Sequence, residues 1–160
     1  MLDGEPHDEY TAIHELSFSP DGSRLAYWGR SPSGAYLVID GEEQDGVSTT
    51  TPPVVWSENG EHIGWAEIPT NPNRYFVLRD GRRYEGTHQL QHTTIGISPD
   101  GSRVAAMEAT TVVELTDDGV TRHEGIRVSA TGQDNRGGYR PLPNGFIFSP
   151  DSQRLVYWGI

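Results

Sequence analysis

The chain contains no cysteine. That excludes a disulfide framework, a thiol nucleophile and a Cys-ligated zinc site, and it leaves the redox compartment open. Positive charge is scarce as well. Twelve basic side chains stand against 23 acidic ones, a formal net charge of −11 over 160 residues. Such a balance disfavours phosphate backbones and anionic headgroups, so neither nucleic acid nor membrane insertion is expected. No apolar run approaches the ~20 residues that cross a bilayer. The opening Met1-Leu2-Asp3-Gly4-Glu5-Pro6 lacks the basic start and apolar core of a signal peptide. A cytoplasmic location is therefore the default expectation. Long uninterrupted helical windows are also missing, because 19 glycines and 11 prolines punctuate every candidate.

What is present is a repeat. Phe18-Ser19-Pro20-Asp21-Gly22-Ser23-Arg24-Leu25-Ala26-Tyr27-Trp28-Gly29 recurs from Ile97 and again from Phe148, with a worn copy from Trp56 to Trp65. Each copy reads as a hairpin. Proline presets φ for position i+1 of a type I turn, aspartate suits i+2, and glycine takes the positive φ that closes the turn with a bulge. The worn copy keeps turn chemistry through Asn59-Gly60. In the last copy Ser152 replaces the glycine at a cost of about 1 kcal/mol if left-handed, so a different turn type is expected there. The near-continuous apolar run 25–28 fits an inner strand covered on both faces.

The equivalent serines Ser19, Ser57, Ser98 and Ser149 are spaced by 38, 41 and 51 residues. About 40 residues and four short strands per unit is the length of a propeller blade. The expected fold is all-β: a β-propeller-like array of four-stranded antiparallel blades in a single domain, 1–160. Its units are 17–53, 54–93, 94–144 and a last, composite blade of 145–160 plus 1–16. In the first unit the strands are expected at 16–19, 24–29, 35–39 and 46–51. The composite blade could close within one chain or between two, so a homodimer completing a larger ring is a candidate assembly. Unpaired strand edges are otherwise an aggregation hazard.

On these residues, the Phe-Ser-Pro-Asp-Gly-x-x-Leu-Ala-Tyr pattern and Tyr36-Leu37-Val38-Ile39-Asp40-Gly41, the chain resembles the TolB-type, WD-repeat-like propeller family of bacteria. It departs from true WD repeats, which end the third strand in Trp-Asp, and from the sialidase Asp-box spacing. The resemblance implies a propeller that binds a protein partner, with a periplasmic setting. It also admits an accessory or gating propeller of an envelope hydrolase, or a propeller that binds a small ligand or cation.

Candidates for chemistry are few. Gly96-Ile97-Ser98-Pro99-Asp100-Gly101 misses the nucleophile-elbow spacing by one residue. One aspartate per hairpin (Asp21, Asp100, Asp151) does not converge six to eight oxygens on a calcium ion, so turn capping is expected instead. Arg24, Arg103 and Arg154 share one repeat position, held by His62 in the worn copy, and should pair with neighbouring carboxylates at the rim. His88 and His92 have a zinc-like i, i+4 spacing but fall on strand or loop, and no third ligand is evident; His7 sits in a polar turn. Trp28, Trp56, Trp65 and Trp158 read as inter-unit packing. The asymmetric feature is the surplus 130–143, a long polar stretch with recognition-type side chains. Asn135, Arg136, Tyr139 and Arg140 are the binding candidates there, with Arg30 and Asn71 from connections on the same face. No catalytic residue, metal or cofactor is expected. The functional expectation is a non-catalytic scaffold for protein–protein interaction.

Overall fold

The computed structural model describes residues 10–70, 74–86, 90–108, 111–123, 131–133, 139–141 and 146–157. Among them there is no helix, and three four-stranded antiparallel sheets follow one another along the chain. The first comprises β1 (Ala12–Phe18), β2 (Leu25–Ser31), β3 (Gly34–Ile39) and β4 (Glu42–Glu43). The second comprises β5 (Val55–Trp56), β6 (Ile63–Glu67), β7 (Tyr75–Arg79) and β8 (Arg82–Gly86). The third comprises β9 (Leu90–Ile97), β10 (Val104–Glu108), β11 (Thr111–Thr116) and β12 (Gly119–His123). Two hairpins follow: β13 (Thr131–Gln133) with β14 (Tyr139–Pro141), and β15 (Phe146–Phe148) with β16 (Leu155–Tyr157).

The repeated hairpin turns are built alike. The glycine amide returns to the serine carbonyl in the first three, at 2.9, 3.0 and 2.9 Å, and Gly22, Gly60 and Gly101 all sit at φ between 73° and 75°. The last turn corrects the expectation of a different type. Ser152 stays left-handed at φ 58° and its amide reaches the Ser149 carbonyl at 2.8 Å.

Three boundaries differ from those read in the sequence. β1 starts at Ala12, with a bulge between His14 and Ser17 where Glu15 has φ 49°. Residues 12–14 therefore pair with β2, although the composite unit includes them. The rest of that expected unit falls in part on residues 1–9, 145 and 158–160, outside the described residues. The fourth strand lies at 42–43 rather than 46–51, because Asp40 and Gly41 both take positive φ (53° and 86°) and make a two-residue turn. Beyond it only a single bridge, Ala35 to Ser48, continues the pairing. The surplus in the third unit contains a hairpin, with Thr131 opposite Pro141 and Gln133 opposite Tyr139.

The sheets stack face to face. Ala26, Trp28, Leu37 and Ile39 of the first meet Ile63, Trp65 and Leu78 of the second in one buried cluster. Tyr75 and Val77 of the second meet Ile95, Val104 and Ala106 of the third. Ala105, Met107 and Val112 on the third sheet's far side receive Phe148 and Leu155 of the last hairpin. Alternation along each central strand thus serves two neighbours at once, which is why β2, β6 and β10 read as unbroken apolar runs. Trp28 and Trp65 are core residues, as expected; Trp158 lies outside the described residues.

Candidate functional site

The turns of successive sheets gather on one face, and the serine and aspartate of each repeat are used there structurally. Ser19 Oγ donates to Asp21 Oδ1 at 2.6 Å and accepts from the Arg24 amide at 3.0 Å, tying both arms of the hairpin together. Ser57 with Asn59, and Ser98 with Asp100, repeat the pattern. Hydrogen bonds from Ser19 and Ser23 lower the Asp21 carboxyl to about 2. At Asp100 desolvation is the largest single influence and pushes upward, but donors from Ser102, Ser98 and Ser152 together outweigh it and hold the carboxyl well below the usual carboxylate range. Ser98 is fully buried in this role.

Three of the four rim cations pair as read. Arg24 Nε meets Asp40 Oδ2 at 2.8 Å, Arg103 pairs with Glu114, and His62 Nδ1 lies 2.9 Å from Asp80 Oδ2. They also do something the sequence did not suggest: they reach the backbone of the next turn. Arg24 Nη1 donates to the Glu61 carbonyl at 3.0 Å, and Arg103 Nη1 to the Ser152 carbonyl at 2.6 Å. His62 is too short for this reach. Arg79, the last residue of β7 and almost fully buried, takes over by donating to the Ser102 carbonyl and to Asp117.

Between the first two sheets, on this turn face, lies a cleft of about 490 Å³. Arg24, Asp40, Glu42, Gln44, Glu61, His62 and Asp80 supply its polar lining, with Ile39, Ile63 and Trp65 as apolar walls. Asp80 holds two groups at once. Its Oδ1 accepts the Ile63 amide at 3.0 Å, which fixes the carboxylate, and its Oδ2 fixes the imidazole of His62. The two side chains remain 38% and 36% exposed, open to a ligand. In the neutral tautomer whose Nδ1 proton points to Asp80, Nε2 is an acceptor. An oriented imidazole of this kind is equipped to take a proton from water.

Of the candidates named from sequence, Arg30 does not line this cleft. Arg30 is exposed at the end of β2, where its carbonyl accepts the Thr11 amide at 2.7 Å. Tyr139 and Arg140 lie in β14, whereas Asn71, Asn135 and Arg136 lie outside the described residues. Among the described residues no group of three or more His, Asp or Glu side chains could hold a metal. His62 and Asp80 were each visible in the sequence, one as a departure from arginine and one in the Asp-Gly turn. What linked them was the register of β6 with β7, which the motif alone does not give.

No protein-family model matches the chain, and no curated protein matches it. Among solved structures it is similar to two proteins each described as a "putative 6-phosphogluconolactonase". The one from Bacteroides uniformis is 18% identical with a TM-score of 0.39; 91% of this chain and 46% of that one are covered. The one from Bacteroides fragilis is 18% identical with a TM-score of 0.40, covering 96% and 50%. The chain thus spans about half the length of these structures. The expectation of a non-catalytic, protein-binding scaffold that is not an enzyme is corrected here, because the similar structures bear the name of an enzyme.

Proposed function

We propose that the stacked sheets are consecutive blades of a propeller of the TolB-like kind, and that the cleft between the first two is a hydrolytic site. The observation that carries this reading is the Asp80–His62 pair opening on that cleft. Three units place arginine at the repeat position, and the one beside the cleft places the side chain suited to proton transfer near neutral pH. The step is hydrolysis of a lactone or simple ester. His62 Nε2 takes a proton as water attacks the carbonyl carbon, Arg24 stabilises the oxyanion, and the proton returns to the leaving oxygen as the acyl C–O bond breaks. The products are an acid and an alcohol, joined in one molecule when a lactone opens.

Four carboxylates line the cleft against one guanidinium. The substrate that suits them is neutral and rich in hydroxyl groups, because a phosphate ester would be repelled. The test is a pH-stat assay with gluconolactone and its phosphorylated form. The expected result is hydrolysis above the spontaneous rate, faster for the neutral compound. His62→Arg restores the residue of the sister units, keeps the ion pair with Asp80, and should remove roughly 100-fold or more of the rate. No acceleration by the native protein, or full activity in His62→Arg, overturns the reading.

A further inference from the structure

Two of the three seams between successive units share one contact. The Arg24 guanidinium of the first sheet sits 5.1 Å from the Trp56 ring centre in the second. The Arg103 guanidinium of the third sits 5.3 Å from the Phe148 ring centre in the hairpin that follows. Each time, the arginine just after one turn covers the aromatic residue just before the next turn, an arrangement favourable by ~0.5–1 kcal/mol at an exposed site. Alongside, the Trp56 indole N–H donates to Ser17 Oγ at 3.1 Å.

The two ends of the array hold the unfilled halves of this contact. Phe18 has the repeat position of Trp56 and Phe148, yet it is 59% exposed. It lies opposite Leu25 as Phe148 lies opposite Leu155, so it belongs to the face by which Phe148 and Leu155 cover the third sheet. At the other end Arg154 has the repeat position of Arg24 and Arg103. It is exposed, and its guanidinium has no partner among the described residues. Ile147 has the register position of Ser17, on the strand face away from Phe148, and is 64% exposed.

We infer that the last hairpin receives the first sheet of a second copy of this chain. Arg154 of one copy covers Phe18 of the other, with Ile147 beside it. The exposure of Phe18 and Ile147 together leaves both halves of the contact unfilled among the described residues, which favours closure between chains. A second copy suits the surface because each end presents the half of a contact that its sister units already complete. Two copies joined head to tail make the contact twice and leave neither end open, as a closed two-fold ring requires.

Sedimentation equilibrium on the 160-residue chain tests this. The expected mass is twice the 17.7 kDa of one chain. Phe18→Arg sets two guanidinium groups against each other and should raise the dissociation constant roughly tenfold or more. Adding Arg154→Glu to that variant converts the clash into an ion pair and should restore the dimer. Both side chains are exposed, so the fold should survive, which circular dichroism checks. A single-chain mass at the highest soluble concentration, an open-ended series of larger masses, or a Phe18→Arg protein that dimerises like the native one overturns the proposal.

Discussion

The Ser152 hydroxyl accepts the Asp100 amide at 3.1 Å, across the seam between the third sheet and the last hairpin. A serine at φ 58° is strained by about 1 kcal/mol, and this hydrogen bond, contributing about 0.5–1.5 kcal/mol, offsets it. Ser152→Ala keeps the strain and loses the bond, so it should destabilise by about 1–2 kcal/mol. Ser152→Gly removes both and should lie within about 0.5 kcal/mol of the native protein. Urea unfolding of the two variants checks the order; equal losses would show that the hydroxyl contributes nothing.

Gly22 and Gly101 share a left-handed conformation but not their surroundings. A Cβ on Gly22 meets nothing within 4 Å, whereas one on Gly101 comes within 2.3 Å of the His62 side chain. Gly22→Ala should therefore cost about 1 kcal/mol from backbone strain alone. Gly101→Ala should cost about 2–3 kcal/mol and displace His62, lowering any hydrolytic rate as well. Thermal melts separate the two, and similar midpoints would remove the steric argument.

Trp28 is fully buried and its indole N–H donates to the Pro52 carbonyl at 2.8 Å. Trp28→Phe leaves a gap between the first two sheets and an unsatisfied carbonyl. The expected loss is about 2–4 kcal/mol. Trp56→Phe, at a half-buried site, should cost less than half of that. Denaturant midpoints compare them directly.

Stability should fall with acid in a defined window. Asp21, Asp100, Asp151 and Glu114 all have depressed folded-state values. At Glu114 burial pushes upward, and the bonds from Arg103 and His123 outweigh it. Groups shifted this way stabilise the fold above their unfolded values of 3.8 to 4.5 and lose that contribution as pH falls through the folded ones. The decline should therefore begin near pH 4.5, pass through about 2, the value at Asp21, and continue below it for Asp100. Glu67 acts oppositely. Burial raises its carboxyl despite Arg83 and the Trp65 N–H, so folding is penalised as pH rises through that value. Glu67→Gln should flatten the approach to neutrality, and Asp100→Asn should soften the acid limb. Melting temperature against pH reads both; an unchanged acid limb in Asp100→Asn would count against the turn network.

Much of this architecture was legible before any coordinates. Pro20, Asp21 and Gly22 specify a turn by local backbone chemistry, and the same residues at a fixed phase specify it again at 99–101. The apolar runs 25–28 and 63–66 announced strands buried on both sides. Less was legible where partners lie far apart in sequence. Arg79 looked like the end of a strand, and only stacking against the third sheet's turn shows why a buried guanidinium belongs there. Glu67 was invisible for the same reason, since its burial depends on Trp65 and Arg83 closing over it. The strand at 42–43 was misplaced because two consecutive positive φ values tighten a turn more than the Asp-Gly pair alone indicates. The cleft and its imidazole emerged from register, a property of two strands rather than of either one.

The arginines that join one hairpin to the next bond to main-chain carbonyls, at Glu61, Ser102 and Ser152. Every amino acid carries that acceptor. A module copied by gene duplication can therefore drift in its loop residues and still be held by its neighbour. Such a fastening is indifferent to mutation on the receiving side and vulnerable only on the donating side, and in the second unit, where an imidazole stands at the repeat position, Arg79 supplies it.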